Sequence, residues 1–201
     1  MASFGDQAGF QIRPHPRLIR DGRLLSKAFL ILLILTLLMD GAEVGLMALR
    51  VGSLAGMLHG GFAFMVNAPW ESDHSIPAAF VPISHYPLWK SSLATLLLSL
   101  RLMPALLILW SLFRLFSMYG RAEVFTARNE LYVKRIAWSL LGYAAVPLLT
   151  HATLYCLGMS EVALKLEERQ FDAAVAALIL LALARVVSFG CEIEQDREGF
   201  V

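Results

Sequence analysis

Four stretches of this chain are long enough, and close enough to free of charge, that lipid is the only solvent in which they can all be stable. They run from about Ala28 to Leu49, Leu93 to Met118, Ile136 to Leu157 and Phe171 to Phe189. About 20 mostly apolar residues cross a hydrocarbon core. Backbone N–H and C=O groups find no water there, and the runs are too long for barrel strands, so each predicts a helix. Composition agrees: 58% of residues are hydrophobic and 16% charged, against about 45–50% and about 25% in a soluble domain. A water-soluble fold of 201 residues has no interior large enough to hide that excess. The expected fold class is an all-α integral membrane protein, a four-transmembrane-helix bundle. The basic N-terminus resembles the start of a signal peptide. The apolar run after it is too long for one, and no small-residue cleavage site precedes Asp40 and Glu43, so it reads as an uncleaved first span.

Lys and Arg set the orientation, because cytoplasmic loops hold the excess. Arg13, Arg17, Arg20, Arg23 and Lys27 precede the first span. Arg114, Arg121, Arg128, Lys134 and Arg135 surround the second connection, and Arg185 and Arg197 lie at the far end. The other two loops hold only Arg50, Lys90, Lys165 and Arg169. The expected topology is N-in and C-in, in a bacterial cytoplasmic (inner) membrane. It forms one membrane domain over 1–201: basic tail 1–27, spans 28–49, 93–118, 136–157 and 171–189, outer loops 50–91 and 158–170, cytoplasmic loop 119–135 and cytoplasmic tail 190–201. The net charge of +1 argues against a nucleic-acid partner, for which a basic excess is expected.

The first outer loop is long, poor in charge and rich in proline and aromatic residues: Pro69, Pro77, Pro82, Pro87, Trp70, Trp89, Phe62, Phe64 and Phe80. Prolines at that density exclude a long helix from its second half, and tryptophan favours the headgroup layer. The loop is expected to fold as a cap on the outer membrane surface, with Leu54 to Met65 as a short interfacial or buried segment. On the inner side, Gly120 is expected to end the second helix in the left-handed conformation. Thr126 is expected to cap the third, which begins in the cytoplasm near Ala127.

Asp40 and Glu43 stand three residues apart inside the first apolar run, on one helical face. An Asp at mid-span costs about 2.5–3.5 kcal/mol on insertion scales, so such residues face the bundle interior and find partners. By helical rise, Arg101 in the second span and His151 in the third lie at similar depth. Asp40, Glu43, Arg101 and His151 are therefore expected to form a buried polar cluster. Pro104 and Pro147, within about a turn of Arg101 and His151, free backbone carbonyls and favour kinks. Two roles stand open for the cluster: fixing helix register and partner choice, or lining a ligand pocket or proton path.

Cofactors and catalysis find little support. Only His151 lies within a span, whereas a membrane haem needs a pair of histidines on facing helices. Glu71, Asp73 and His74 match no metal-ligand spacing. Cys156 and Cys191 fall near opposite faces of the membrane and read as small apolar fillers. No nucleophile elbow, phosphate-binding loop or zinc-protease helix appears. No cofactor, metal or enzymatic activity is expected.

Two segments carry a resemblance. One is the run from Gly120 through Phe125, Thr126 and Asn129 to Lys134-Arg135-Ile136. The other is the tail from Gly190 through Glu194 to Gly199-Phe200-Val201. Together they resemble a bacterial family of four-span membrane proteins known only as a domain of unknown function, often encoded beside a Cro/Xre-type helix-turn-helix regulator. The resemblance implies the same topology and a cytoplasmic position for both motifs, and it supplies no catalytic residues. Gly120, Phe125, Thr126, Asn129, Gly190, Glu194 and Phe200 are the expected cytoplasmic interaction motif. The acidic tail (Glu192, Glu194, Asp196, Glu198) is expected to clasp the basic loop or to dock a soluble partner. The expected function is a non-enzymatic membrane regulator or accessory subunit that contacts membrane lipids and binds a protein partner or further copies of itself. The alternatives are a small transporter or ligand sensor using the polar cluster, or a haem or quinone redox subunit.

Overall fold

The computed structural model describes residues 16–50, 84, 86–123, 126–159, 164 and 166–199. The expected outer cap over 51–83, with its Leu54–Met65 segment, and the motif residues Phe125 and Phe200 lie outside the described residues. Regular structure among the described residues is helical throughout, with no strand: α1 (Pro16–Ala48), α2 (Leu88–Tyr119), α3 (Ala127–Cys156) and α4 (Glu168–Gly199). At about 1.5 Å per residue each helix is about 45–50 Å long, longer than the apolar run within it. α1 begins inside the basic tail, and α4 continues through the acidic segment to Gly199. Two helices, α1 from Arg17 and α2 over its whole length, are long and apolar enough to cross a membrane.

Packing follows chain order: α1 lies on α2, α2 on α3 and α3 on α4. Cross-helix contacts fix an antiparallel register for each pair. Ser26 of α1 donates to the Phe113 carbonyl of α2 at 3.4 Å, and Phe29 stacks on Phe116 at 5.4 Å. Arg114 of α2 reaches the Tyr132 hydroxyl of α3 at 3.3 Å. Glu130 and Tyr143 of α3 hydrogen-bond Ser188 and Arg169 of α4. Many buried side chains along these seams are small, among them Ala94, Ser111, Ala137, Ser139, Ala173, Ala177 and Ala184. Close backbone approach of this kind is how helices associate where lipid removes the hydrophobic drive between them.

The α2–α3 turn corrects one expectation. Gly120 is right-handed (φ −63°, ψ −13°), and the left-handed residue is Ala122 (φ 70°). Glu123 N donates to Met118 O at 3.1 Å and Ala122 N to Tyr119 O at 3.0 Å. That is a Schellman pair of bonds with Ala122 in the position usually held by glycine. Gly120 instead admits α1. A Cβ on Gly22 would fall 2.7 Å from Gly120 N, and one on Gly120 would fall 2.9 Å from Arg23 Cγ. Arg23 Nε closes the contact by donating to Gly120 O at 3.2 Å. Thr126 does occupy the cap of α3 (φ −130°, ψ 149°), yet its side chain makes no cap bond. Its carbonyl accepts Asn129 N at 2.9 Å, and Asn129 Nδ2 donates to Glu123 O at 2.9 Å. The buried Asn129 thus ties α3 to the turn.

At the opposite end a small apolar cluster of Met47, Ala94, Leu154 and Met159 joins α1, α2 and α3. α3 stops there in a second Schellman turn, with Gly158 at φ 67° and Met159 N bonded to Leu154 O at 2.9 Å. Arg50 donates to the Ser84 carbonyl at 2.7 Å, and Lys90 Nζ to the Leu157 carbonyl at 2.6 Å, stitching the helix ends together.

Candidate functional site

The helix register brings the polar residues of the apolar stretches to one level. Fourteen residues separate Ser26 from Asp40; the same step back along α2 from Phe113, the partner of Ser26, reaches Ser99, beside Arg101. The α2–α3 pairing of Arg114 with Tyr132 puts Arg101 level with Ala145, between Tyr143 and Pro147, in the same way. α4 starts lower than α3 ends, because Arg169, one residue into α4, reaches Tyr143, thirteen residues before the last residue of α3. The beginning of α4 is therefore recessed to the depth of Arg101.

The result is a cavity of about 350 Å³ to which all four helices contribute. Asp40 and Glu43 come from α1, Arg101 from α2, and Tyr143 and Pro147 from α3. Glu167, Arg169 and Gln170 come from the start of α4, and Leu98, Leu102 and Ala105 complete the wall. Three carboxylates face two guanidiniums, a formal excess of one negative charge when all are ionised.

These groups divide into a fixed half and an open half. Glu167 caps α4: Gln170 N donates to its carbonyl at 2.9 Å, and Gln170 Oε1 accepts from Glu167 N at 3.3 Å. The second bond is the return half of a capping box, with glutamine at the third helical position, and it holds Gln170 buried. Arg169 is committed to an ion pair with Glu167 and to the Tyr143 hydroxyl. The open half is Asp40, Glu43 and Arg101. Glu43 interacts electrostatically with Asp40 and Arg101. Among the described residues no direct ion pair joins Arg101 to either carboxylate. Pro147 lacks the N–H that would bond the Tyr143 carbonyl, so a polar backbone atom is left near the wall of the site. An arrangement of two carboxylates, an unengaged guanidinium and a fixed Glu–Arg–Tyr wall can bind a small charged or zwitterionic molecule or relay a proton.

Of the four residues expected to form a buried cluster, Asp40, Glu43 and Arg101 share this cavity, but they are not buried: Glu43 is exposed and Asp40 and Arg101 are half-buried. His151 does not line it; it is buried one turn from Pro147 toward the end of α3. Tyr143, Glu167, Arg169 and Gln170 were not anticipated. The spacing of Glu167 and Gln170 ahead of an apolar run was the available signal for where α4 starts. The level at which it starts was not legible. Of the expected cytoplasmic motif, Gly120, Thr126 and Asn129 gather at the α2–α3 turn, while Gly190 and Glu194 fall within α4. The expected acidic clasp (Glu192, Glu194, Asp196, Glu198) involves side chains outside those described, as do the histidines of the tail and outer loop. Among the described residues no group of His, Cys, Asp and Glu could hold a metal ion.

A family model described as a protein of unknown function (DUF2975) matches residues 66–199, two thirds of the chain. It takes in α2, α3 and α4 with Arg101, Tyr143, Glu167, Arg169 and Gln170, and leaves α1 with Asp40 and Glu43 outside. No curated protein and no solved structure matches the chain.

Proposed function

The chain belongs to the DUF2975 family, and from that premise we propose that it is a non-enzymatic four-span protein of a bacterial inner membrane that senses a small cationic or zwitterionic ligand. Both termini and the α2–α3 turn lie in the cytoplasm in this proposal, and the cavity lies in the outer half of the bilayer. The surface supports four spans. Beyond the exposed apolar faces of α1 and α2, α3 exposes Trp138 and Leu149, and α4 exposes Phe171, Val175, Leu178, Ile179, Leu183 and Val186. Apolar side chains this dense on the outside of a helix pair are costly in water and stable in lipid.

The cavity is the observation that carries the ligand. Intramembrane carboxylates cost about 2.5–3.5 kcal/mol each, and two of them stand beside an arginine with which neither forms a direct pair. A bound amine between Asp40 and Glu43 neutralises the excess negative charge; a zwitterion instead pairs its amine with those carboxylates and its own carboxylate with Arg101. None of the lining residues forms a nucleophile–base pair, which supports the non-enzymatic reading.

Melting of the purified protein in mild detergent, measured against a panel of small amines and amino acids, tests this. At least one compound is expected to raise the melting temperature of the parent protein and to lose its effect in Asp40→Asn and Arg101→Gln. A panel without any effect, or shifts that survive both substitutions, overturns the ligand. Reporters fused at each terminus test the topology; export of either one refutes the four-span arrangement.

A second role, as an accessory subunit, draws on the helical course of α4. Its helix continues about 15 Å past Phe189, the end of the apolar run. A rigid acidic arm of that length is a handle for a basic protein surface. Co-purification of a defined partner with the full-length protein, lost when residues after Gly190 are removed, supports this role; binding that persists without them refutes it.

A further inference from the structure

A second concavity lies on the outside of the helix pair α2–α3 and uses none of the cavity residues above. It is an open groove of about 760 Å³ running along the seam. Its floor is formed where Pro104 of α2 meets Gly142 of α3; a Cβ on Gly142 would stand in ordinary contact with Pro104 Cγ, at 3.5 Å. Leu100, Met103 and Leu107 form one wall, and Trp138 and Val146 the other. These walls are apolar, and Met103 and Trp138 stand more than half exposed. From Lys134 to Val146 the groove extends about 18 Å along α3.

Its two ends differ in charge. Lys134 and Arg135 line the end nearest the α2–α3 turn. Arg114 stands level with them on α2, held against Tyr132 by the bond from its Nε and against Trp110 by a cation–π contact. Arg135 lies over the Tyr132 ring, 5.9 Å from its centroid. Glu130 at the same end is occupied by Lys134 and Ser188. Among the described residues no acidic side chain pairs with Arg114 or Arg135. The groove is thus an apolar trough about as long as an acyl chain, flanked by a tryptophan, with Arg135 at one end and Arg114 level with it, neither paired with a carboxylate among the described residues.

We infer that this groove is a binding site for an anionic phospholipid of the cytoplasmic leaflet. The phosphate and headgroup sit between Arg114 and Arg135, and one acyl chain lies along the trough over Pro104 and Gly142. A neutral lipid fills the trough equally well but brings no counter-charge to the two guanidiniums, so the preference for anionic lipid comes from the headgroup end alone. Two basic side chains, at the strength such groups show near anionic lipid surfaces, amount to about a 30-fold preference. The site does not depend on the proposed ligand of the polar cavity.

Native mass spectrometry of the full-length protein released from detergent, with phosphatidylglycerol and phosphatidylcholine of matched chains present together, tests the assignment. The parent protein is expected to retain phosphatidylglycerol with a roughly 30-fold preference. The double substitution Arg114→Gln, Arg135→Gln is expected to bring the two lipids near parity. Met103→Trp, which fills the trough from an exposed position, is expected to weaken both lipids while keeping their ratio. Glycerol phosphate, which has no chain, is expected not to compete. Equal retention of the two lipids by the parent protein overturns the site, whether or not any variant folds. So does a preference that survives loss of both arginines, or full competition by glycerol phosphate, which would assign a phosphate site without the trough.

Discussion

Replacing Gly22 with alanine offers a direct test of how α1 is held. The added Cβ would sit 2.7 Å from Gly120 N and 3.0 Å from the Tyr119 carbonyl carbon, about 0.5–0.8 Å inside the optimum for non-bonded heavy atoms. Both obstacles are backbone, so no rotamer change relieves the clash, and the helices must part at that level. Overpacking of this kind costs about 1–3 kcal/mol. Separation also stretches the bonds from Arg23 to Gly120 O, at 3.2 Å, and from Ser26 to Phe113 O, at 3.4 Å, each contributing about 0.5–1.5 kcal/mol. A net loss of about 2–3 kcal/mol is expected. Gly45 on the same helix supplies the control, because a Cβ there meets nothing within 4 Å. Gly45→Ala should stabilise by about 0.5–1 kcal/mol through helix propensity. The same chemical change on one helix is thus expected to act in opposite directions. Equilibrium unfolding of both variants in mixed micelles, followed by far-UV circular dichroism, gives the two free energies. If Gly22→Ala proves as stable as Gly45→Ala, the close approach of α1 to α2 at Gly120 is wrong, and the account of Gly120 goes with it.

Three further outcomes follow from the basic end. Ala122→Gly should stabilise the protein by up to about 1 kcal/mol, because the left-handed conformation at φ 70° strains a residue bearing a Cβ; a destabilised variant in the same assay contradicts the turn. Asn129→Ala should cost about 1–3 kcal/mol, since it leaves the Glu123 carbonyl without the donor that stands 2.9 Å away; unchanged stability contradicts the bond. The hydrogen bond from Lys134, aided by one from Ser188, holds the Glu130 carboxyl below its usual range. A depressed carboxyl adds stability above its unfolded pKa and loses it as pH falls through the folded one. The parent should therefore exceed Glu130→Gln by less than about 1 kcal/mol at neutral pH, the pair being exposed, and the two should converge in acid. A gap constant across the acid range would refute the assignment.

The placement of Asp40 with Arg101 was legible because depth along a helix is read from residue number, and neighbouring antiparallel helices share a scale. His151 lies on the same scale but outside the cavity, because depth says nothing about which face of α3 carries it. Gly120 shows a different gap. A glycine after a helix signals a left-handed cap, but the same residue is the cheapest solution for close helix approach. The choice between the two uses depended on Gly22, nearly a hundred residues away. Arg169 and Glu167 fall just outside the apolar run and so read as surface charges. They entered the cavity wall only because α4 starts below the end of α3.

Local chemistry settled what each segment of this chain is. Apolar run length makes α1 and α2 capable of crossing a membrane, Gly158 ends α3, and Gln170 helps mark where α4 starts. These depend on neighbours within a few residues, and the sequence alone determined them. The tertiary structure decided what meets what: α1 against α2 through a pair of glycines, and Tyr143 against Arg169. It also decided the recessed level of α4, and with it the existence of a shared cavity. Those contacts join residues far apart in the chain, and nothing in the local pattern of either partner specifies the rotation or the relative height at which two helices pack.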